Sequence, residues 1–189
     1  MPKRLGEDEL QDLHEVYRGN VSAVYAFFTY SVDAETAEDL TAATFERVVR
    51  SWRRYDDRRA SVRTWVLTIA RNLLTDHFRR QSHRRGPSFD EHPALAAWAG
   101  QEEDPAERCA SVDAIKTWLL MLQPREREVL ALRYGADLPT GEIAHCLGLS
   151  EANVHQIVSR ALRRLRAILT DGELSGSVEL VRGRVRSGT

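Results

Sequence analysis

Four arginines, Arg160, Arg163, Arg164 and Arg166, fall close together late in the chain, just after His155, Gln156 and Ser159. A guanidinium can pair bidentately with a phosphate or a guanine edge, while Gln and His reach base edges or backbone oxygens. A second basic element lies upstream: residues 45–85 hold twelve arginines against Glu46, Asp56, Asp57 and Asp76, a net of +8. Around these, residues 1–44 carry a net of -6, and residues 90–107 carry six acids and no base. The whole chain nevertheless comes to -1. Two basic elements in a near-neutral protein suggest two contacts with a polyanion, although each run taken alone also reads as a solvated helix face.

Other chemistries find little support. No glycine-rich phosphate loop, paired metal motif or nucleophile elbow occurs, so neither enzyme nor cofactor is expected. His77, His83, His92 and Cys109 do not form a metal-ligand spacing, and His145 and Cys146 read as structural. No apolar run approaches the ~20 residues that span a bilayer. The N-terminus turns acidic at Glu7-Asp8-Glu9, where a signal peptide is apolar. The expectation is a soluble cytoplasmic protein without membrane insertion. With 189 residues, 42% of them hydrophobic and 29% charged, it has room for one medium domain or two small ones.

The elements that position the basic residues are helical. Leu13, Tyr17, Val21, Val24, Tyr25 and Phe28 recur at spacings of three and four, as do Phe45, Val48, Val49 and Trp52. Trp65, Ile69 and Leu73 follow at i, i+4 and i+8, with Thr68, Asn72, Thr75 and Arg79 on the polar side of a helix over 64–80. Breaks at Ser31–Glu35 and Tyr55–Ser61 divide residues 1–85 into a small helical bundle. Residues 86–107, acidic and interrupted by Gly and Pro, predict a flexible linker. Helical pattern resumes in 108–170, and the glycine-bearing tail 171–189 is expected to be loosely ordered. The fold class expected is all-α: two small helical domains joined by an acidic linker.

The second domain has helix-turn-helix grammar. Glu142-Ile143-Ala144 opens a short helix, Gly148 permits a tight turn, and Ser150 caps the next helix. Val154, Val158, Ala161 and Leu165 keep one face of that helix buried, leaving His155, Gln156, Ser159, Arg160 and Arg163 to face a major groove. A helical hairpin with a charged outer face is the plainer alternative.

Residues 110–169 resemble the C-terminal DNA-binding domain, region 4, of bacterial sigma factors of the extracytoplasmic-function (ECF) group. The resemblance is carried by Leu122-Gln123-Pro124-Arg125-Glu126-Arg127-Glu128-Val129-Leu130, Leu147-Gly148-Leu149-Ser150 and Ser159-Arg160-Ala161-Leu162-Arg163-Arg164-Leu165. That half alone also fits a conventional helix-turn-helix transcription regulator, which remains the rival reading. The N-terminal half favours the sigma factor. Ala37-Glu38-Asp39-Leu40-Thr41-Ala42-Ala43-Thr44-Phe45 is similar to region 2.2 of the group, and Arg63-Thr64-Trp65 through Asn72, with Asp76 and Arg79-Arg80, to regions 2.3 and 2.4.

The resemblance implies binding to core RNA polymerase and recognition of promoter DNA at its -10 and -35 elements; it admits an anti-sigma factor as a further partner. It places Arg71, Asn72, Thr75, Asp76, Arg79 and Arg80 at the -10 element, Asn72 holding an extruded base. It places His155, Gln156, Ser159, Arg160 and Arg163 at the -35 element, and Asp39, Leu40, Thr44, Phe45 and Val48 on the polymerase. It further implies that the linker occupies polymerase channels. One departure stands out: where many relatives have Val-Lys-Ser-Arg, this chain has Val154-His155-Gln156-Ile157.

Overall fold

A computed structural model describes residues 6–85 and 118–185. The linker 86–107 and residues 108–117 lie outside them, so the expectations for that stretch concern residues not described. Among the described residues every regular element is helical.

Helix α1 spans Glu7–Thr29, and three acids in its first turn sit at the positive end of the helix dipole. After a short break, Asp33 caps α2, Ala34–Ser51, by accepting the Thr36 N–H at 2.8 Å. A single 3₁₀ turn at Trp52–Arg54 leads to α3, Val62–Arg85, the longest element of the N-terminal half. Trp52, Tyr55 and Trp65 pack their rings together where α2 hands over to α3. The three helices enclose Val24, Phe27, Phe28, Val48, Val66, Leu67 and Ala70, all fully or almost fully buried. Removing the larger of these side chains from water supplies roughly 1.5–3 kcal/mol each.

The C-terminal half begins at 118–120 in helical conformation and restarts at α4, Pro124–Leu130, with Pro124 in the first turn, where its missing N–H costs no bond. A π-helical turn, Ala131–Gly135, follows, then α5, Thr140–Leu147, and α6, Glu151–Val185. Gly148 ends α5 in the left-handed region at φ 62°, the conformation glycine adopts without steric cost. Ser150 Oγ accepts the Asn153 N–H at 3.3 Å at the start of α6. These features agree with the predicted helix-turn-helix. Helix α6 runs on beyond Asp171 to Val185. A formed helix extends at the cost of one residue's freedom per bond gained, and the glycines at 172, 176 and 183 weaken that extension without ending it.

The two halves share one core. Leu132, Ala136, Leu138, Ile143, Cys146 and Leu147 join the same buried cluster as Phe27, Phe28, Val66 and Leu67. At Gly135 the approach leaves no room for a side chain: a Cβ would come within 2.9 Å of the Tyr30 ring and 3.2 Å of the Ala26 carbonyl. Any larger residue there would push the π turn away from α1. A smaller cluster of Leu119, Leu122, Leu130 and Ala161 holds α6 onto α4.

Candidate nucleic-acid interface

The recognition helix is positioned from beneath. Val154, Ile157 and Ala161 are buried, and Val158 and Leu165 pack partly against the same cores. This leaves His155, Gln156, Ser159, Arg160 and Arg163 exposed along one side of α6, together with its acidic start at Glu151. Arg164 has a different task. Its guanidinium donates to Glu126 at 2.8 Å, and the same carboxylate oxygen accepts the Gln123 N–H at 3.1 Å, so α6 is tied to the first turn of α4.

Arg127 lies in the stretch that resembles region 4, but its residue type and spacing assign it no role. It is almost fully buried, and its guanidinium donates to the carbonyls of Leu119, Leu120 and Leu122. Those carbonyls lie at the end of the preceding helical turn, where that of Leu119 also accepts the Leu122 N–H at 3.2 Å. Burial alone lowers the Arg127 pKa from its ordinary value. The arrangement supports the fold beneath the recognition helix and leaves Arg127 remote from a groove.

The six residues expected at the -10 element are spread around α3. Asn72, Thr75, Arg79 and Arg80 are exposed, while Arg71 and Asp76 are half-buried. Asp76 pairs with Arg79 at 3.1 Å. Thr75 Oγ1 donates to the Arg71 carbonyl at 3.0 Å. Asp76 and Arg80, with Leu40 and Leu73, line a groove of about 280 Å³ between α2 and α3. Arg71 and Thr75 instead line a groove of about 400 Å³ toward the C-terminal half, with Phe78 and Arg125. Arg71 Nε donates to Glu128 at 2.7 Å.

The face of α3 is also more covered than its spacing suggests. Trp65, Ile69 and Leu73 are only partly buried, and the deepest positions are Val66, Leu67 and Ala70. Thr68, read as polar-side, lies 3.4 Å from Cys146 of the other half. Burial raises the pKa of that thiol.

Of the five residues expected on the polymerase, only Asp39 is exposed. Leu40, Thr44, Phe45 and Val48 are buried side chains of this conformation, with Thr44 Oγ1 bonded to the Leu40 carbonyl at 2.7 Å. Their spacing is itself the apolar period of α2, and it serves the bundle core. What α1 and α2 do expose is Leu10, Tyr17 and Val49, each over two-fifths accessible, with Tyr17 edge-on to Phe45 at 4.8 Å. Tyr17 and Val49 carry the same helical spacing as the core residues, so the sequence offered no signal that set them apart.

Comparison with known proteins accounts for both halves. The model of sigma-70 region 2 matches residues 16–84, and that of sigma-70 region 4 matches residues 118–167. The RNA polymerase sigma factor CarQ of Myxococcus xanthus is 31% identical over 88% of this chain and 95% of its own length. The ECF RNA polymerase sigma factor SigM of Bacillus subtilis is 27% identical over 85% of this chain and 96% of its own length. The chain belongs to the ECF group of RNA polymerase sigma factors.

This ECF sigma factor therefore directs transcription initiation with RNA polymerase, as the sequence reading held against a conventional regulator. Sigma factors are known as non-catalytic initiation factors. Two solved structures share the fold at 21% identity. One is CnrH in complex with the cytosolic domain of CnrY, at TM-score 0.63 over 86% of this chain and 90% of that one. The other is RpoE of Bartonella quintana in complex with the anti-sigma factor NepR, at 0.65 over 87% and 98%. Among the described residues of the sigma factor, no helix is long and apolar enough to cross a membrane and no cluster of side chains is suited to a metal.

Proposed function

We propose that the sigma factor reads the -35 element with the exposed side of α6 and the -10 element with the outer side of α3. The observation that carries this reading is the joint exposure of His155, Gln156, Ser159, Arg160 and Arg163 on a helix whose opposite side is buried. On α3, Asn72, Thr75, Arg79 and Arg80 supply amide, hydroxyl and guanidinium groups at helical spacing, suited to a displaced single strand. Asn72 is assigned the extruded base. Polymerase contact is assigned to Asp39 together with the exposed Tyr17 and Val49, since Leu40, Thr44, Phe45 and Val48 act behind that surface as its support.

The protein catalyses no reaction itself, needs no cofactor and works in the cytoplasm beside the polymerase. An anti-sigma factor is assigned as a further partner; the complexes formed by CnrH and RpoE support that reading by fold. Run-off transcription with core polymerase on genomic fragments tests the whole. Specific transcripts that require the sigma factor are expected; a protein that shifts promoter DNA alone and yields none with core polymerase behaves as a conventional regulator.

A further inference from the structure

The groove between α2 and α3 is apolar where Leu40, Ala43 and Leu73 line it and polar at Asp76, Arg80 and Gln81. Gln81 lies outside the six residues assigned to the -10 element. Its Oε1 is closed to solvent and has no hydrogen-bond partner among the described residues. A buried acceptor left unpaired costs free energy that an arriving donor returns. The carboxylate of Asp76 is a second acceptor at the same groove. Its contact with Arg79 engages Oδ1 and leaves the lone pairs of Oδ2.

Size and place narrow the occupant. The volume, about 280 Å³, is several times the ~30 Å³ share of one water. It falls just under the ~300 Å³ at which sites for drug-sized ligands begin, so it suits a single planar ring system. Asn72 precedes Asp76 by four residues, about 6 Å along the same side of α3. A strand whose stacked bases rise only ~3.4 Å each can span that interval once it is unstacked.

We propose that this groove captures a second base of the displaced strand, next to the one assigned to Asn72, and that Gln81 with Asp76 selects a base bearing an exocyclic amine over thymine. The inference rests on the promoter-reading function proposed above and adds a base class to it. The ring faces pack against Leu40, Ala43 and Leu73, as an extruded base requires. The amine gives one hydrogen to Gln81 Oε1 and the other to Asp76 Oδ2. Thymine has no amine and offers a carbonyl and a methyl group in its place, so both acceptors stay unpaired. Arg80, exposed, pairs with a phosphate and adds affinity without base preference. A free nucleotide carries the same groups, but Asn72, Thr75 and Arg79 continue the polar side of α3 beyond the groove and suit a strand.

The test begins with promoters identified by run-off transcription with core polymerase. In fork-junction templates, each base of the displaced strand in and beside the -10 element is replaced in turn by thymine. A second set removes only the amine, with purine for adenine, hypoxanthine for guanine and 2-pyrimidinone for cytosine. Binding of the holoenzyme is expected to fall about tenfold with both replacements at the captured position. Gln81→Met is expected to cut that discrimination to about twofold, by weakening the amine-bearing strand and leaving the thymine strand unchanged. Gln81→Glu keeps an acceptor at that place and is expected to retain the discrimination. Circular dichroism checks the fold of each variant, and Gln81→Ala replaces Gln81→Met if the latter is unfolded. A scan of the parental protein with no amine-sensitive position overturns the proposal. So does a folded Gln81→Met or Gln81→Ala protein that keeps parental discrimination, or that loses affinity equally for every strand, as a merely structural role would give. Adenosine, guanosine and cytidine monophosphates at micromolar concentration are expected to leave the strand bound; displacement assigns the groove to a free nucleotide and overturns strand capture. No specific transcript with core polymerase is a different failure, that of the promoter-reading function.

Discussion

Arg71 and Glu128, 57 positions apart in the chain, stand 2.7 Å from each other and join the two halves of the sigma factor. Each belongs to a motif that sequence reading treated separately, Arg71 with promoter opening and Glu128 with the first helix of the DNA-binding unit. Their side chains are about three-quarters and four-fifths buried, so salt screens the pair less than a surface contact. Glu128→Gln releases Arg71 and is expected to strengthen binding of the free protein to a single strand carrying the -10 sequence by up to tenfold. Filter binding against Glu46→Gln, which removes an equal charge from an exposed position, checks that the gain is local; equal gains in both variants would refute it.

Asn72→Ala is expected to impair promoter opening more than closed-complex binding, because a base is captured only after extrusion. Extrusion costs roughly a few kcal/mol, and a lost amide bond of about 1 kcal/mol shifts the opening equilibrium by roughly fivefold. Permanganate reactivity of melted thymines, set beside mobility shifts on duplex promoter, separates the stages. Equal losses at both would remove Asn72 from base capture.

Replacing Arg160 or Arg163 by Ala is expected to weaken promoter binding. Where the contact is to a phosphate, the slope of log affinity against log salt flattens by about one unit. Where it is to a base edge, the slope holds and discrimination at one -35 position relaxes, by about 1–3 kcal/mol. A salt titration of the polymerase holoenzyme on promoter variants distinguishes the two contacts.

Arg127→Met removes the guanidinium donor from the carbonyls of Leu119, Leu120 and Leu122 beneath the recognition helix. The loss should reach about 2–3 kcal/mol, a fall in Tm of roughly 4–12 °C for a chain of this size. Arg127→Lys should recover only part of it, since an ammonium lacks the planar fork that reaches three acceptors. Thermal melts of the three proteins check the order.

Asp33 supplies a pH dependence. Burial opposes its charge, but the Thr36 N–H and hydroxyl, both at 2.8 Å, outweigh that and hold its pKa below the ordinary carboxylate value. A depressed folded-state pKa gives stability that is present above the unfolded value of about 4 and is lost as pH falls below it. Asp33→Ala is expected to cost about 1 kcal/mol at neutral pH and to flatten the acid limb of stability against pH. Urea melts between pH 3 and 7 measure both; an unchanged acid limb would show that the cap is not the titrating group.

The helix-turn-helix was legible because its determinants are local. Gly148 satisfies its backbone requirement by itself, Ser150 caps through a bond three residues away, and the period of Val154, Ala161 and Leu165 sets which side of α6 faces outward. The exposure of His155, Gln156, Ser159, Arg160 and Arg163 follows from that period. On α2 the family resemblance, not the period, put Leu40, Thr44, Phe45 and Val48 on a partner, while Phe45 and Val48 read equally as core; all four are buried in this structure. Periodicity marks a buried stripe without saying what buries it.

The sequence by itself determined the helices and the side of the recognition helix that faces outward, since each depends on residues within one or two turns. Tertiary structure alone decided that the two halves share a core and that Arg71 meets Glu128. It also decided that Thr68 lies under Cys146 and that Arg127 closes the end of the preceding helical turn. Arginine, glutamate and threonine on a helix read as solvated groups until another surface arrives. Whether one arrives depends on contacts tens of residues away, whose summed burial and hydrogen bonding no local pattern encodes.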